Sequence, residues 1–272
     1  MVTLIKRLRQ GLAIRVMRAA RAANRSPLAR RLLRGRSIRR FALVNRLYHT
    51  VFRLGVATGD RDAEARYRGV VLTGPAWDAT IMPSVSAGYY EEFEVGVFER
   101  LASISRSVLD VGANIGVYTC TGAARLPEDG SLIAFEPVPE NIGYLRRNVE
   151  RNDLADGGLG PPDLIKIDVE GYEGFVLRGA AESLAALPAL LFEVHPELQE
   201  NCGCAAGELL DLVFDRYPWV FVIDELDNVL RPCTRAELDD PHAIGLYRSN
   251  LAAVGRPEHL DALRQWHGLG SP

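Results

Sequence analysis

Lysine is almost missing from this chain. Of its 32 basic residues only Lys6 and Lys166 are lysines, and the rest are arginines. We read this bias as the mark of a GC-rich coding sequence rather than of a physical need. Cysteine is scarce too: of the four residues, only Cys202 and Cys204 lie close together, as C-G-C. With no second pair at zinc-ligand spacing, the pattern argues against a metal site or a disulfide framework and for ordinary reduced thiols, so no metal is expected. No apolar run reaches the length of a membrane span. Internal repeats and low-complexity segments are also absent, so the hydrophobic 47% of the chain can serve one substantial core with terminal extras. These absences predict a soluble, cytoplasmic protein.

Acidic residues are lacking in a second sense. Residues 1–59 hold 15 Arg and Lys and no Asp or Glu. The remainder carries 17 basic against 35 acidic residues, a net of −18 concealed within an overall −3. Over residues 1–54, Leu4, Ile5, Leu8, Leu12 and Val16 recur at helical spacing among arginines. Those arginines prevent the compact apolar stretch a secretory signal needs. Three readings of this arm stay open: a solvated basic helix or cap, a helix lying on an anionic membrane surface (a peripheral attachment), or a nucleic-acid arm. No recognised nucleic-acid motif supports the last, so nucleic acid is not an expected partner. We divide the chain into a basic helical extension (1–59), a bridging helical region (60–106), a main domain (107–256) and a C-terminal tail (257–272).

In the bridging region Trp77, Ile81 and Met82 suggest a short packed element, and residues 88–101 show a helical apolar face of Tyr90, Phe93, Val97 and Leu101. From residue 107 the pattern alternates. Strands are expected at 107–111, 131–136, 163–169 and 189–195, with helices at about 116–124, 139–151, 173–186 and 205–216, and two closing strands at 219–224 and 250–254. Apolar β-rich runs alternating with helices predict an α/β fold, a doubly wound and mostly parallel sheet covered on both faces.

In such a sheet, ligands bind beyond the carboxyl ends of the strands. VLDVGANIG (108–116) puts Asp110, Gly112 and Gly116 at such an end. Glycines there let a ligand come close to the backbone. A pyrophosphate would be repelled by Asp110, whereas the ammonium of an amino-acid moiety would be attracted. The next strand, SLIAFEP, ends in Glu136, an acid placed to accept hydrogen bonds from both ribose hydroxyls. Together Asp110 and Glu136 favour S-adenosylmethionine over NAD, although either acid could simply cap the following helix. DLIKIDVEGYE brings Asp168, Glu170 and Glu173 to the same edge, and LLFEVHPEL brings Glu193 and His195. Asp168 and His195 are candidates for positioning a hydroxyl acceptor and taking its proton, though a histidine before proline also serves structure. Lys166, mid-strand, is expected to pack its stem and reach the surface.

These stretches together resemble the FkbM family of S-adenosylmethionine-dependent methyltransferases. The matching pieces are VLDVGANIGVYT (108–119), IAFEPVPENIGYLRRNVERN (133–152), PDLIKIDVEGYEGFVLRGA (162–180) and LLFEVHPEL (190–198), with NLAAV (250–254) as the last strand. The resemblance implies a class I methyltransferase-like, Rossmann-like fold and, usually, O-methylation of a sugar or secondary-metabolite hydroxyl. By the same resemblance Asp110, Gly112, Asn114, Gly116 and Glu136 would bind the cofactor, and Asp168 and Glu170 would lie near the transferred methyl group. The chain departs from the family in one place. Members carry several dozen residues, including a strand, where this chain has only DLADGGLGP (153–161). That linker spans up to about 30 Å, enough to reach the next parallel strand. The sheet is therefore expected to lack one edge strand and to expose the strand that bears Glu136. A second reading follows: a degenerate, non-catalytic relative acting as a binding or membrane-surface module. An NAD-dependent oxidoreductase fits poorly, because the glycine spacing and Asp110 are wrong for it.

Overall fold

The computed structural model describes residues 11–19, 62–78, 80–154, 160–225, 227–238 and 249–265, with Ala22, Arg46, Thr50 and Val51. Most of the basic arm expected over residues 1–54 lies outside them. Residues 11–19 are helical, with Ala13 and Met17 buried and Leu12 and Val16 exposed. The buried stripe is thus offset from the one read in the sequence. Among the described residues, no helix is long and apolar enough to cross a membrane.

The chain forms two compact units, Met1–Tyr90 and Glu91–Pro272. The first contains an antiparallel hairpin of β1 (Asp62–Tyr67) and β2 (Val70–Pro75), then α1 (Ile81–Ala87). The bridging region is therefore not helical throughout, and the hairpin corrects that expectation. Its cause is local: Arg68 and Gly69 both take positive φ (49° and 99°), which suits a two-residue turn between twisted strands. Ala63, Tyr67, Val70 and Leu72 alternate onto the buried face. The carboxylate of Asp78 accepts the amide hydrogens of Thr80, Ile81 and Met82 and so starts α1.

The second unit opens with α2 (Glu92–Ala102) and is built on a seven-stranded sheet of order β4-β3-β5-β6-β9-β7-β8. The strands are β3 (Ser107–Val111), β4 (Ser131–Phe135), β5 (Leu164–Ile167), β6 (Ala189–Val194), β7 (Trp219–Asp224), β8 (Val229–Pro232) and β9 (Ser249–Val254). Strands β4, β3, β5 and β6 run parallel, while β9 is antiparallel to both β6 and β7. The expectation of an α/β fold on a mostly parallel sheet holds. Inserting β9 also separates this sheet from the parallel order of a dinucleotide-binding domain. Strand β8, hydrogen-bonded to β7 and carrying the exposed pair Arg231 and Pro232, was not foreseen.

Among the described residues β4 pairs only with β3, so the strand leading to Glu136 is the edge, as expected. The helices are α3 (Val117–Ala123), α4 (Pro139–Arg151), α5 (Glu173–Gly179), α6 (Ala181–Leu184), α7 (Pro196–Asn201), α8 (Ala206–Phe214) and α9 (Pro257–Gln265). The last lies within the stretch 257–272 expected as a tail, of which residues 266–272 are outside the described residues. On one face, Ile165, Ile167, Leu190, Phe192 and Leu251 of the sheet pack with Leu177 of α5 and Leu209, Leu210 and Val213 of α8. On the other, α2 packs against α3, with Phe98 and Tyr118 edge to face at 5.3 Å. Such apolar burial supplies most of the folding force, at about 25 cal/mol per Å².

Candidate active site at the carboxyl edge of the sheet

Strands β3, β4, β5 and β6 deliver their last residues to one edge. After β3 the chain makes the turn read in the sequence, with Gly112, Asn114 and Gly116 at φ 85°, 51° and 90°. Only glycine fits at position 112: an added Cβ would lie 1.8 Å from the carbonyl oxygen of Asp168. The turn is thus pressed against the chain leaving β5. The amides of Gly112 and Ala113 donate to the carbonyl of Phe135, at 2.9 and 3.0 Å, and so tie the turn to the end of β4. Behind it, buried Asn148 of α4 donates to the carbonyl of Ile115 at 2.8 Å.

Glu136 completes this knot. Its Oε2 accepts the amide hydrogen of Asn114 at 2.8 Å, while Oε1 accepts from the Val138 amide at 2.9 Å and the Asn141 side chain at 3.3 Å. The residue stays half-exposed. A carboxylate offers about four acceptor sites, so Oε2 retains capacity for a ligand hydroxyl.

Asp110 sits deeper than its place in the sequence suggests. It is wholly buried beneath the turn, where its Oδ2 accepts from the Thr119 hydroxyl at 2.6 Å. Its Oδ1 has no hydrogen-bond partner and lies 3.8 Å from Nζ of Lys166, its cross-strand neighbour in register. Burial raises the Asp110 pKa, against the opposing pull of Lys166 and Thr119.

Lys166 does not reach the surface. Its side chain is 5% exposed, and its ammonium lies 3.3 Å from Oδ2 of Asp168 and 4.4 Å from the centre of the Tyr118 ring. The strand is covered on both faces, so a stem of four carbons finds no route to water. Burial favours the neutral amine, yet Asp168, Asp110, Glu91 and Glu94 outweigh it and the net shift is upward. Tyr118 donates to Glu91 at 2.9 Å, and Asn250 of β9 donates to the buried Glu94. Burial, reinforced by repulsion from Glu91, holds the Glu94 pKa well above the usual carboxylate range.

Asp168 keeps 31% of its side chain exposed, and Glu170 is exposed with φ 51°. The loop between them rests on Glu173, wholly buried, which accepts the amide hydrogens of Val169 and Gly171 and a hydrogen from Gln199. His195 follows β6, and its Nδ1 accepts from the Leu198 amide at 3.4 Å, capping α7. The structure therefore joins Gly112, Asn114, Gly116 and Glu136 directly, links Asp110 to Asp168 through Lys166, and gives His195 a place in the framework. Sequence reasoning missed the cage around Lys166. One signal was present: Lys166 and Asp168, two apart on one strand, share a face. Glu91 with Glu94, Tyr118 and Asn250 come from three segments too far apart in sequence to announce themselves.

Residues 154–231 match the family model of the methyltransferase FkbM domain. The resemblance carried by the sequence motifs is thereby borne out, on a segment that begins after the glycine turn. Hexuronic acid methyltransferase AglP of Haloferax volcanii is 23% identical over an alignment 134 residues long, gaps included, which covers 32% of this chain and 54% of that protein. The chain thus spans about half the length of this curated relative. Among solved structures, TYW2 of M. jannaschii in complex with AdoMet aligns over 73% of this chain and 87% of its own, with 17% identity and a TM-score of 0.46. The O-methyltransferase of Bacillus cereus in complex with SAH aligns over 60% and 80%, with 14% identity and a TM-score of 0.42. The matched segment includes Asp168, Glu170 and His195 and ends within β8.

Proposed function

We propose that this chain is an S-adenosylmethionine-dependent methyltransferase whose acceptor is a hydroxyl on a sugar, glycan or secondary metabolite. The observation that carries the reading is the grip of half-exposed Glu136 on the glycine turn. It presents an acid with spare acceptor capacity and the glycine turn it holds as one piece. The groups present fit the cofactor. A carboxylate with spare acceptor capacity suits vicinal hydroxyls, and positive φ at Gly112 and Gly116 gives the turn the shape that Glu136 holds. The negative charge of Glu136 and Asp168 suits a sulfonium and an ammonium better than a pyrophosphate. Bound there, S-adenosylmethionine supplies a methyl group whose carbon–sulfur bond breaks as the acceptor's oxygen–carbon bond forms.

We assign the remaining roles to the chain's own residues. Asp168, oriented by Lys166, accepts the proton that the hydroxyl loses. Glu170, exposed on the same loop, orients the acceptor. Asp110 acts from below, by holding Lys166 and Thr119, rather than by touching the cofactor. His195 serves the rim of the site through its cap on α7. The basic residues 1–54 would carry any contact with an anionic membrane surface, which liposome sedimentation with and without them tests.

The missing edge strand favours a second reading, a binding module that has lost cofactor affinity. Calorimetric titration with S-adenosylhomocysteine separates the two. Saturable binding that Glu136→Ala weakens supports the enzyme, and no heat at millimolar ligand supports the module.

A further inference from the structure

The loop that carries Asp168 and Glu170 continues into two exposed aromatic rings. Tyr172 is 54% and Phe175 42% exposed, and their centroids are 5.7 Å apart with planes inclined at 42°. The guanidinium of Arg178 covers the Phe175 ring at 4.9 Å and is itself fixed by Glu208 at 3.1 Å. Adjacent exposed rings make a contiguous apolar surface of the kind that ligand grooves use.

What lies beneath this pair is rigid. Glu173 pins the amides of Val169 and Gly171 from below and is met by buried Gln199. Gly171, at φ 106°, is packed so closely on α7 that an added Cβ would come within 2.7 Å of the Leu198 carbonyl oxygen. Leu177, two residues beyond Phe175, is buried in the core. The segment is thus anchored on its inner side while it displays an acid, a phenol and a benzyl ring on its outer side.

The geometry points to Tyr172 and Phe175 as an acceptor platform on which a hexopyranose ring lies, with its apolar C–H face on the rings. Its hydroxyls would then reach Glu170, Arg178 and the Tyr172 phenol at the rim. This rests on the methyltransferase reading and narrows it: of sugars and secondary metabolites, it selects the sugar. Tyrosine suits the task because it offers a stiff apolar surface with a polar tip. A flat hydrophobic metabolite would have no use for the polar rim.

Saturation-transfer NMR with methyl hexopyranosides (gluco, galacto, manno and rhamno) on the full chain, with and without S-adenosylhomocysteine, tests this. At least one glycoside should bind, and Tyr172→Ala or Phe175→Ala should each weaken it by about fivefold or more. Tyr172→Phe should retain most of the binding. Both positions are exposed, so the variants should fold and should leave S-adenosylhomocysteine affinity unchanged. No glycoside binding, or binding indifferent to both alanine variants, overturns the platform. So does a concentration-dependent dimer that Tyr172→Ala abolishes, since the rings would then be a self-association surface. Glycoside binding that depends on the rings, without any S-adenosylhomocysteine binding, upholds the platform and removes the methyl-transfer reading instead.

Discussion

The Glu136 carboxylate and the Asn114 amide meet at 2.8 Å, so the acid at the tip of β4 holds the turn at the tip of β3. One side chain therefore shapes the cradle and offers a ligand contact. Glu136→Ala should lower affinity for S-adenosylhomocysteine by about tenfold or more, through the loss of charge-assisted hydrogen bonds. Calorimetry measures it, and an unchanged dissociation constant would place the cofactor elsewhere.

Gly112→Ala should be far more damaging than its size suggests. The new Cβ meets the Asp168 carbonyl oxygen at 1.8 Å in a backbone already at φ 85°. We expect a loss of about 3 kcal/mol or a failure to fold. Gly143, exposed in α4 with nothing within 4 Å, is the control. There alanine should add about 0.5–1 kcal/mol in urea unfolding, because it favours the helix.

Lys166→Met should cost about 3 kcal/mol, because it strips a fully buried carboxylate of its cation. Pairing it with Asp110→Asn should restore about half of that loss, since the buried charge goes too. Additive losses in the double variant would mean that Lys166 and Asp110 are not energetically coupled.

Strands β3 to β7 and β9 were readable because each is a short apolar run bounded by turn residues. Asp110, Glu136 and Asp168 could be placed at one edge by connectivity alone. Depth was not readable. Asp110 and Asp168 look alike in the sequence, yet register with Lys166 and the cover of α3 bury one and leave the other a third exposed. The β1–β2 hairpin was missed because Arg68-Gly69 is an uncommon turn pair. Strand β8 was missed because Arg231 and Pro232 belong to an edge.

The pH response should show His259 of α9. Burial, with help from Arg256, lowers its pKa from 6.5 to about 4, against the pull of Glu258 and Asp163. The unfolded chain takes up this proton as pH falls through 6.5, and the folded chain resists until about 4. Its contribution to stability is therefore whole above 6.5 and declines progressively towards 4. Glu94, with its pKa raised, acts in the opposite sense and loses its contribution as pH rises through the folded value. Urea midpoints at neutral and mildly acid pH should fall less steeply in His259→Phe than in the natural chain.

The central claim is that this edge of the sheet holds a nucleoside bearing a positive charge rather than a pyrophosphate. Parallel calorimetric titrations of the full chain with S-adenosylhomocysteine and with NAD address it most directly. We predict saturable heat for the first, diminished in Glu136→Ala, and none for the second. Binding of NAD in preference to S-adenosylhomocysteine would contradict the account.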